Sequence, residues 1–187
     1  MGCDDISFGR AFEDWIRTWL ARSAYRRSFR ALRLEGDEDV LELGVGGGQA
    51  ARVILAKLDK GGTYTGFDVD LWWFERAKRN LARFDNVTLA HGDVRDLPLE
   101  EEGYDLVVIH LTLHDIPEAD REPIVIALVG KLRKGGVLFI KEPTKAGHGM
   151  PEVEVWRLMD DAGLHSFLRL EGRSVFMGPI IEGHFRK

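Results

Sequence analysis

Residues 40–54 read VLELGVGGGQAARVI, with four glycines in the five positions 44–48, between an apolar run and a segment of helical character. Glycines directly after a strand remove side chains, so that backbone can approach a ligand closely, and a helix starting behind them offers free N–H groups. The stretch predicts a strand, a bare nucleotide-type turn and a helix. Two common phosphate-binding patterns do not fit it. Counted from Gly44, a G-x-G-x-x-G fingerprint needs glycine where Gln49 stands, and a Walker loop needs Gly-Lys followed by Ser or Thr, which the chain lacks.

Outward from this turn, strand and helix patterns alternate with short connections. Strands are expected at DVLELG (39–44), TYTGFDV (63–69), VTLAHGD (87–93), YDLVVIHL (104–111) and GVLFIKEP (136–143), with helices near 48–58, 71–84, 118–132 and 151–162. Each parallel crossover needs a helix-length connection, so the alternation argues for a parallel sheet with helices on both faces. LVVIHL is apolar on both faces, as a buried central strand should be. After Gly163, placed where a helix C-terminus wants a left-handed residue, the remaining chain has no room for a crossover helix. Two strands joined around EGR (171–173) are expected to form an antiparallel edge hairpin.

The first residues add a helical cap. Phe8, Phe12, Trp15, Ile16, Trp19 and Leu20 share one face of a helix over 8–20, and a second helix carries Tyr25, Phe29 and Leu32 and stops near Gly36. The expected architecture is an α/β fold with a doubly wound, mostly parallel seven-stranded sheet, an antiparallel C-terminal edge hairpin and an N-terminal helical cap. It forms a single domain over 1–187, with the cap at 1–35 and the α/β core at 38–187.

Composition bounds the function. A chain of 187 residues, 44% of them hydrophobic, can build one substantial core. Cys3 is the only cysteine, which leaves neither a disulfide framework nor a cysteine metal cluster and favours a reducing compartment. The start lacks a basic region followed by a long apolar stretch, and no segment reaches the roughly 18 uninterrupted apolar residues of a spanning helix, so the expectation is a soluble, cytoplasmic protein. Ile6 stands where an N-myristoylation signal wants Ser or Thr. A net charge of −5 does not suit a polyanion binder. Seven arginines between Arg10 and Arg33 could meet an anionic partner or form a solvated helix face.

The spacing E-L-G-x-G-x-G, formed by Glu42, Leu43, Gly44, Gly46 and Gly48, resembles the first motif of the class I (Rossmann-like) S-adenosylmethionine-dependent methyltransferases. YTGFDVD resembles the second motif, which implies that Asp68 binds the ribose hydroxyls and that Val69 packs on adenine. AHGDVRDLPL resembles the stretch after the third strand, which implies adenine recognition by Asp93 and the amide of Val94. YDLVVIHLTLHDI and LRKGGVLFIKEP resemble the fourth-strand and fifth-strand motifs, with Lys134 in place of the usual proline. His110 lies where the family's fourth-strand residue touches cofactor or substrate. The likeness covers roughly residues 38–187 and implies S-adenosylmethionine as cofactor.

The residue chemistry agrees. A carboxylate can accept two hydrogen bonds from vicinal hydroxyls, so an acid at a strand end about 20 residues beyond the loop suits ribose. Asp70 is placed to cap the following helix. Asp93 could instead cap the RDLP turn, and Trp72 and Trp73 could pack in the core or, Trp73 above all, border the adenosyl pocket. Methyl transfer is an in-line displacement on an activated carbon and strictly requires no catalytic residue. Where the acceptor must lose a proton, a base within reach helps, and His110, His114 and Glu142 at strand ends are the candidates, with Asp115 beside them. His114 and Asp115 could equally form a polar turn before Pro117, and no ligand spacing supports a metal. HLTL stands where family members acting on planar nitrogens of nucleic acid or glutamine often carry Asn-Pro-Pro-Tyr or Asp-Pro-Pro-Tyr. A small-molecule methyl acceptor is expected, selected under the N-terminal cap. A catalytically silent adenosyl-binding protein, a nucleic-acid or protein methyltransferase and a nicotinamide oxidoreductase are the competing readings.

Overall fold

The computed structural model describes residues 25, 28, 29, 32–174 and 177–187; the helix expected over 8–20 and most of the arginine-rich stretch lie outside the described residues. The first half runs β1 (Asp39–Leu43), α1 (Gln49–Leu55), β2 (Thr63–Asp68), α2 (Leu71–Leu81), β3 (Val87–His91) and β4 (Tyr104–His110). A 3-10 turn at Leu113–Asp115 leads into α3 (Glu118–Lys131), β5 (Leu132–Pro143), α4 (Glu152–Asp161), β6 (His165–Ser174) and β7 (Gly178–Arg186). The seven strands make one sheet in the order β3-β2-β1-β4-β5-β7-β6. The first five are mutually parallel, and β7 runs antiparallel to both β5 and β6. Strand order reverses between β1 and β4, which opens the ligand crevice beyond their carboxyl ends.

Alternation along the central strands divides the core between the two faces of the sheet. Val107 and Ile109 of β4, with Leu138 and Ile140 of β5, pack on Leu128 of α3 and Met159 of α4. Leu106, Val108 and Phe139 face the other way, against Ile54 of α1, Leu81 of α2 and Phe29. Burying each such side chain contributes roughly 1.5–3 kcal/mol, and this two-sided burial makes the stretch Leu106–Ile109 of β4 apolar at every position. Phe29 donates its amide to the carbonyl of Tyr25 at 3.1 Å, the spacing of a helical turn, and its ring is fully buried.

Two expectations need correction. The edge hairpin does not turn at Glu171–Arg173; these residues belong to β6, with Gly172 paired to Ile180, and the chain reverses between Ser174 and Gly178, where Gly178 has φ of 73°. A glycine flanked by charged residues reads as a turn, yet its neighbours lie on an exposed edge strand where charge is tolerated. β5 begins at Leu132 rather than near residue 136, because Leu132 already pairs with Tyr104. The Lys134–Gly136 turn is looped out before pairing resumes at Val137, with Gly135 at φ 78°. Gly163 closes α4 with φ of 78°. Among the described residues no helix is long and apolar enough to cross a membrane.

Candidate functional site

The glycine turn caps the carboxyl end of β1. The amides of Gly44 and Val45 both donate to the carbonyl of Phe67, at 2.9 and 3.0 Å, which ties the turn to the end of β2. Gly44 has φ of 70°, and a β-carbon there would stand 2.3 Å from Cγ2 of Thr112, so this close approach to the turn after β4 requires glycine. Gly46, at φ 51°, is different: a β-carbon on it would meet nothing nearer than 4.0 Å and would project into open space beyond the loop. Gly48 precedes α1 and backs onto Leu81. Asn80 of α2 donates to the carbonyl of Gly47 at 2.9 Å, a brace with no sequence signature.

Asp68 lies at the end of β2 and is buried, with 9% of its surface exposed. One carboxylate oxygen accepts the amide of Gly46 and the other the amide of Asp70, each at 2.9 Å. Burial raises its pKa against the opposing effect of those two amides. An ionised carboxylate offers about four acceptor positions, so two remain for a pair of hydroxyls. Asp70 caps α2, its Oδ1 accepting the amides of Trp72 and Trp73 at 2.8 and 3.3 Å. The two indoles meet edge to face with centroids 4.6 Å apart, and Trp73 is half-buried. Val69 is 68% exposed beside them.

Glu42 faces inward from β1 and accepts the hydroxyl of Tyr64. The tyrosine ring crosses the bare face of Gly66 to reach it, and a β-carbon at Gly66 would approach the ring to 2.9 Å. Burial pushes the Glu42 carboxyl up to about 8; the Tyr64 hydrogen bond opposes this and the Asp68 charge adds to it. At the end of β3, Asp93 is engaged by Arg95, whose Nη2 and Nε lie 2.7 and 3.0 Å from its two oxygens. That side-chain pairing holds the Asp93 pKa below the ordinary value despite partial burial. Its carbonyl also accepts from Asp96 and Leu97 in a tight turn, and Val94 is buried against the core.

The three proton-transfer candidates separate by face. His110 shares the face of Phe139 and stacks among aromatic rings, with centroids 4.7 Å from Tyr25, 5.3 Å from Phe29 and 6.4 Å from Phe139. Burial, aided by the nearby Lys141 charge, pushes its pKa down to about 3. Glu142, completely buried, faces the opposite side and meets His114, whose Nδ1 lies 2.6 Å from Oε2. The other oxygen of Glu142 accepts the amides of Thr112 and Leu113 at 3.0 and 2.7 Å. A carboxylate only accepts, so the neutral imidazole carries its proton on Nδ1 and leaves Nε2 as the basic nitrogen. Nε2 lies 3.4 Å from the exposed Asp115. Burial lowers the His114 pKa, but the hydrogen bond and charge of Glu142 outweigh it and the net shift is upward.

Thr112 joins the two halves of the site. It packs on Gly44 on one side and donates its amide to Glu142 on the other, two residues before His114. Sequence reasoning missed Thr112, and missed Tyr64 as the partner of Glu42. For Tyr64 a signal existed, since Y-T-G places a bare residue on the same face two positions later.

Residues 40–136 match a family model described as a methyltransferase domain. The lovastatin nonaketide synthase polyketide component of Aspergillus terreus is 31% identical over 149 residues, covering 76% of this chain and 4% of that protein. A methyltransferase of Synechocystis is 34% identical over 109 residues, covering 58% of this chain and 49% of that protein. The chain thus spans half or far less of the length of these curated relatives. A solved structure of the 1,6-didemethyltoxoflavin-N1-methyltransferase of Burkholderia thailandensis, with its heterocycle and S-adenosylhomocysteine bound, superposes with a TM-score of 0.77 at 18% identity. That likeness covers 98% of this chain and 85% of the other and concerns the fold.

Proposed function

From the premise that the chain belongs to the S-adenosylmethionine-dependent methyltransferases, we propose that it methylates a small organic acceptor and that His114, held by Glu142, removes the acceptor's proton. The observation that carries this reading is the 2.6 Å contact between His114 Nδ1 and Glu142 Oε2, in a turn packed directly against the glycine loop.

The cradle fits the cofactor. Asp68 retains acceptor positions for ribose, and the open space at Gly46 leaves room for a ligand against the loop. Gly44, Gly46 and Gly48 would line its amino-acid and ribose portions, with Glu42 beneath them, while Val69, Trp73, Asp93 and the Val94 amide would surround adenine. When bound, S-adenosylmethionine supplies an electrophilic methyl carbon on a sulfonium centre. His114 accepts a proton at Nε2 from the O–H, N–H or acidified C–H of the acceptor. Glu142 keeps the imidazole in the tautomer that can do so and stabilises the imidazolium, as carboxylates do for histidine bases elsewhere. The imidazolium Nε2–H can then donate to Asp115. His110 stays neutral through the physiological range and serves as a wall beneath Tyr25 and Phe29 rather than as a base.

A small acceptor is supported by the names of the relatives, one a polyketide synthase component and another a methyltransferase of a small heterocycle. Calorimetric titration with S-adenosylmethionine, S-adenosylhomocysteine and NAD tests the cofactor half, with binding of the first two and not the third expected. A screen of β-dicarbonyl, phenolic and N–H heterocyclic acceptors with labelled methyl donor tests the rest. His114→Asn is expected to reduce turnover by roughly 10²–10⁴-fold with cofactor affinity intact. Unchanged turnover would remove His114 from the mechanism.

A further inference from the structure

Arg121 lies in the first turn of α3 and spends one guanidinium on three acceptors. Its Nε donates to the carbonyl of Ile116 at 2.9 Å, its Nη2 to the carbonyl of His114 at 3.2 Å, and its Nη1 to Glu154 of α4 at 2.7 Å. The Arg121 and Glu154 side chains are only 13% and 14% exposed. The two carbonyls belong to the 3-10 turn that carries His114 and to the residue closing it. The turn has little of its own to hold it: the amides of Asp115 and Ile116 reach back to Thr112 and Leu113 at 3.1 and 3.2 Å. Glu142 secures the beginning of the turn through the amides of Thr112 and Leu113, and nothing in that contact fixes its far side.

We infer that Arg121 is a positioning residue for the His114–Glu142 pair, clamping the far side of the turn to α4 so that the imidazole stays seated on the carboxylate. The inference rests on the base role proposed for His114. A planar fork with donors in fixed directions can serve two carbonyls and a carboxylate together, whereas a lysine ammonium can keep an ion pair with Glu154 but cannot span the same three acceptors. Misplacing a reacting group by about 1 Å can reduce a rate by roughly a hundredfold.

Arg121→Lys is the decisive variant because it keeps the charge and breaks the fork. The charged and titratable groups facing His114 are Glu142, Asp115, Arg121 and His148, the last with its ring centroid 5.8 Å away. With Lys at 121 their charges are unchanged, so any movement of the His114 titration reports geometry. The expected result is a kcat reduced by roughly ten- to a hundredfold, an unchanged Kd for S-adenosylhomocysteine, and a His114 midpoint by NMR that moves down towards the ordinary imidazole value. A merely structural ion pair would survive in this variant, so wild-type kcat together with a wild-type midpoint would overturn the inference. Glu154→Gln supplies the complement, since its amide oxygen still accepts from Nη1 and the two carbonyl bonds persist. It should hold kcat within about threefold, and a loss as large as that of Arg121→Lys would assign the effect to the ion pair instead. If His114→Asn shows that His114 is not the base, the midpoint in Arg121→Lys, read on cofactor-free protein, still tests the clamp by itself.

Discussion

A single carboxylate, Asp68, closes the glycine turn and, in the function proposed above, also receives the ligand's hydroxyls. Its bonds to the Gly46 and Asp70 amides hold the loop, and two of the about four acceptor positions of a carboxylate are left over. Asp68→Ala is therefore expected to weaken S-adenosylhomocysteine binding by roughly 1–3 kcal/mol, read by calorimetry on a variant whose circular dichroism matches wild type. An unchanged Kd would take Asp68 out of the site. The Glu142–His114 pair makes a prediction of its own. A histidine whose pKa is raised must lose its proton before it can act as a base, so kcat/KM should rise with pH along an acid limb centred above the ordinary value of 6.5. Glu142→Gln removes the charge that raises it, and the limb should move to lower pH as the maximal rate falls. The glycine turn after β1 and the place of Asp68 at the end of β2 were legible in the sequence because backbone freedom and a strand-end carboxylate leave local signatures. The separation of His110 from Glu142 was not, since it depends on the register that pairs His110 with Lys141 and turns Glu142 to the opposite face.

At the scale of elements, the parallel strands and their helices were legible because two-sided burial and helical periodicity are written into short stretches. The edge hairpin was not. Glu171, Gly172 and Arg173 have the composition of a turn, and only cross-strand pairing with Ile181, Ile180 and Pro179 shows that they are strand. The two arrangements predict opposite outcomes for one substitution. In β6, Gly172 has an extended backbone, and a β-carbon would meet Ile180 at an ordinary 3.5 Å. Gly172→Val should then stabilise the fold by about 0.5–1 kcal/mol, through lower chain entropy in the unfolded state and a new cross-strand contact. A turn at 171–173 would place that valine in an unfavourable backbone conformation, and denaturant unfolding would show a loss. The same element logic marks Leu111, a non-glycine residue at φ 58° two positions before the turn that carries His114. Such strain persists where the surroundings over-determine it, and here the Leu111 amide is held by the Lys141 carbonyl at 2.8 Å while Glu142 holds the next two amides.

Across the whole molecule the two faces of the sheet carry different work. The α3–α4 face holds the His114–Glu142 pair, whereas the other buries His110 under Tyr25 and Phe29, beside the Lys141–Glu182–His184 chain with contacts of 3.2 Å. His110 therefore links folding to pH. Its folded-state pKa of about 3 lies well below the ordinary 6.5, so the unfolded chain binds the extra proton first as pH falls. The stability that comes from keeping this ring neutral is fully present above 6.5 and is lost progressively on the way down to about 3. Other groups act in the same range with the opposite sign: Glu42, pushed up to about 8, and His114, also raised, both make the fold less stable as pH increases through their windows. A wild-type stability curve thus mixes opposing slopes, and the informative quantity is the difference from a variant altered at His110 alone. His110→Phe keeps an aromatic ring against Tyr25, Phe29 and Phe139 and removes the titration. Measured by urea unfolding at pH 7.0, 6.0 and 5.0 (~1-unit steps), the variant is expected to gain stability relative to wild type as pH falls. A difference that stays constant across the series would mean that His110 reaches solvent in the folded state, and that the aromatic roof over it opens far enough to admit a proton.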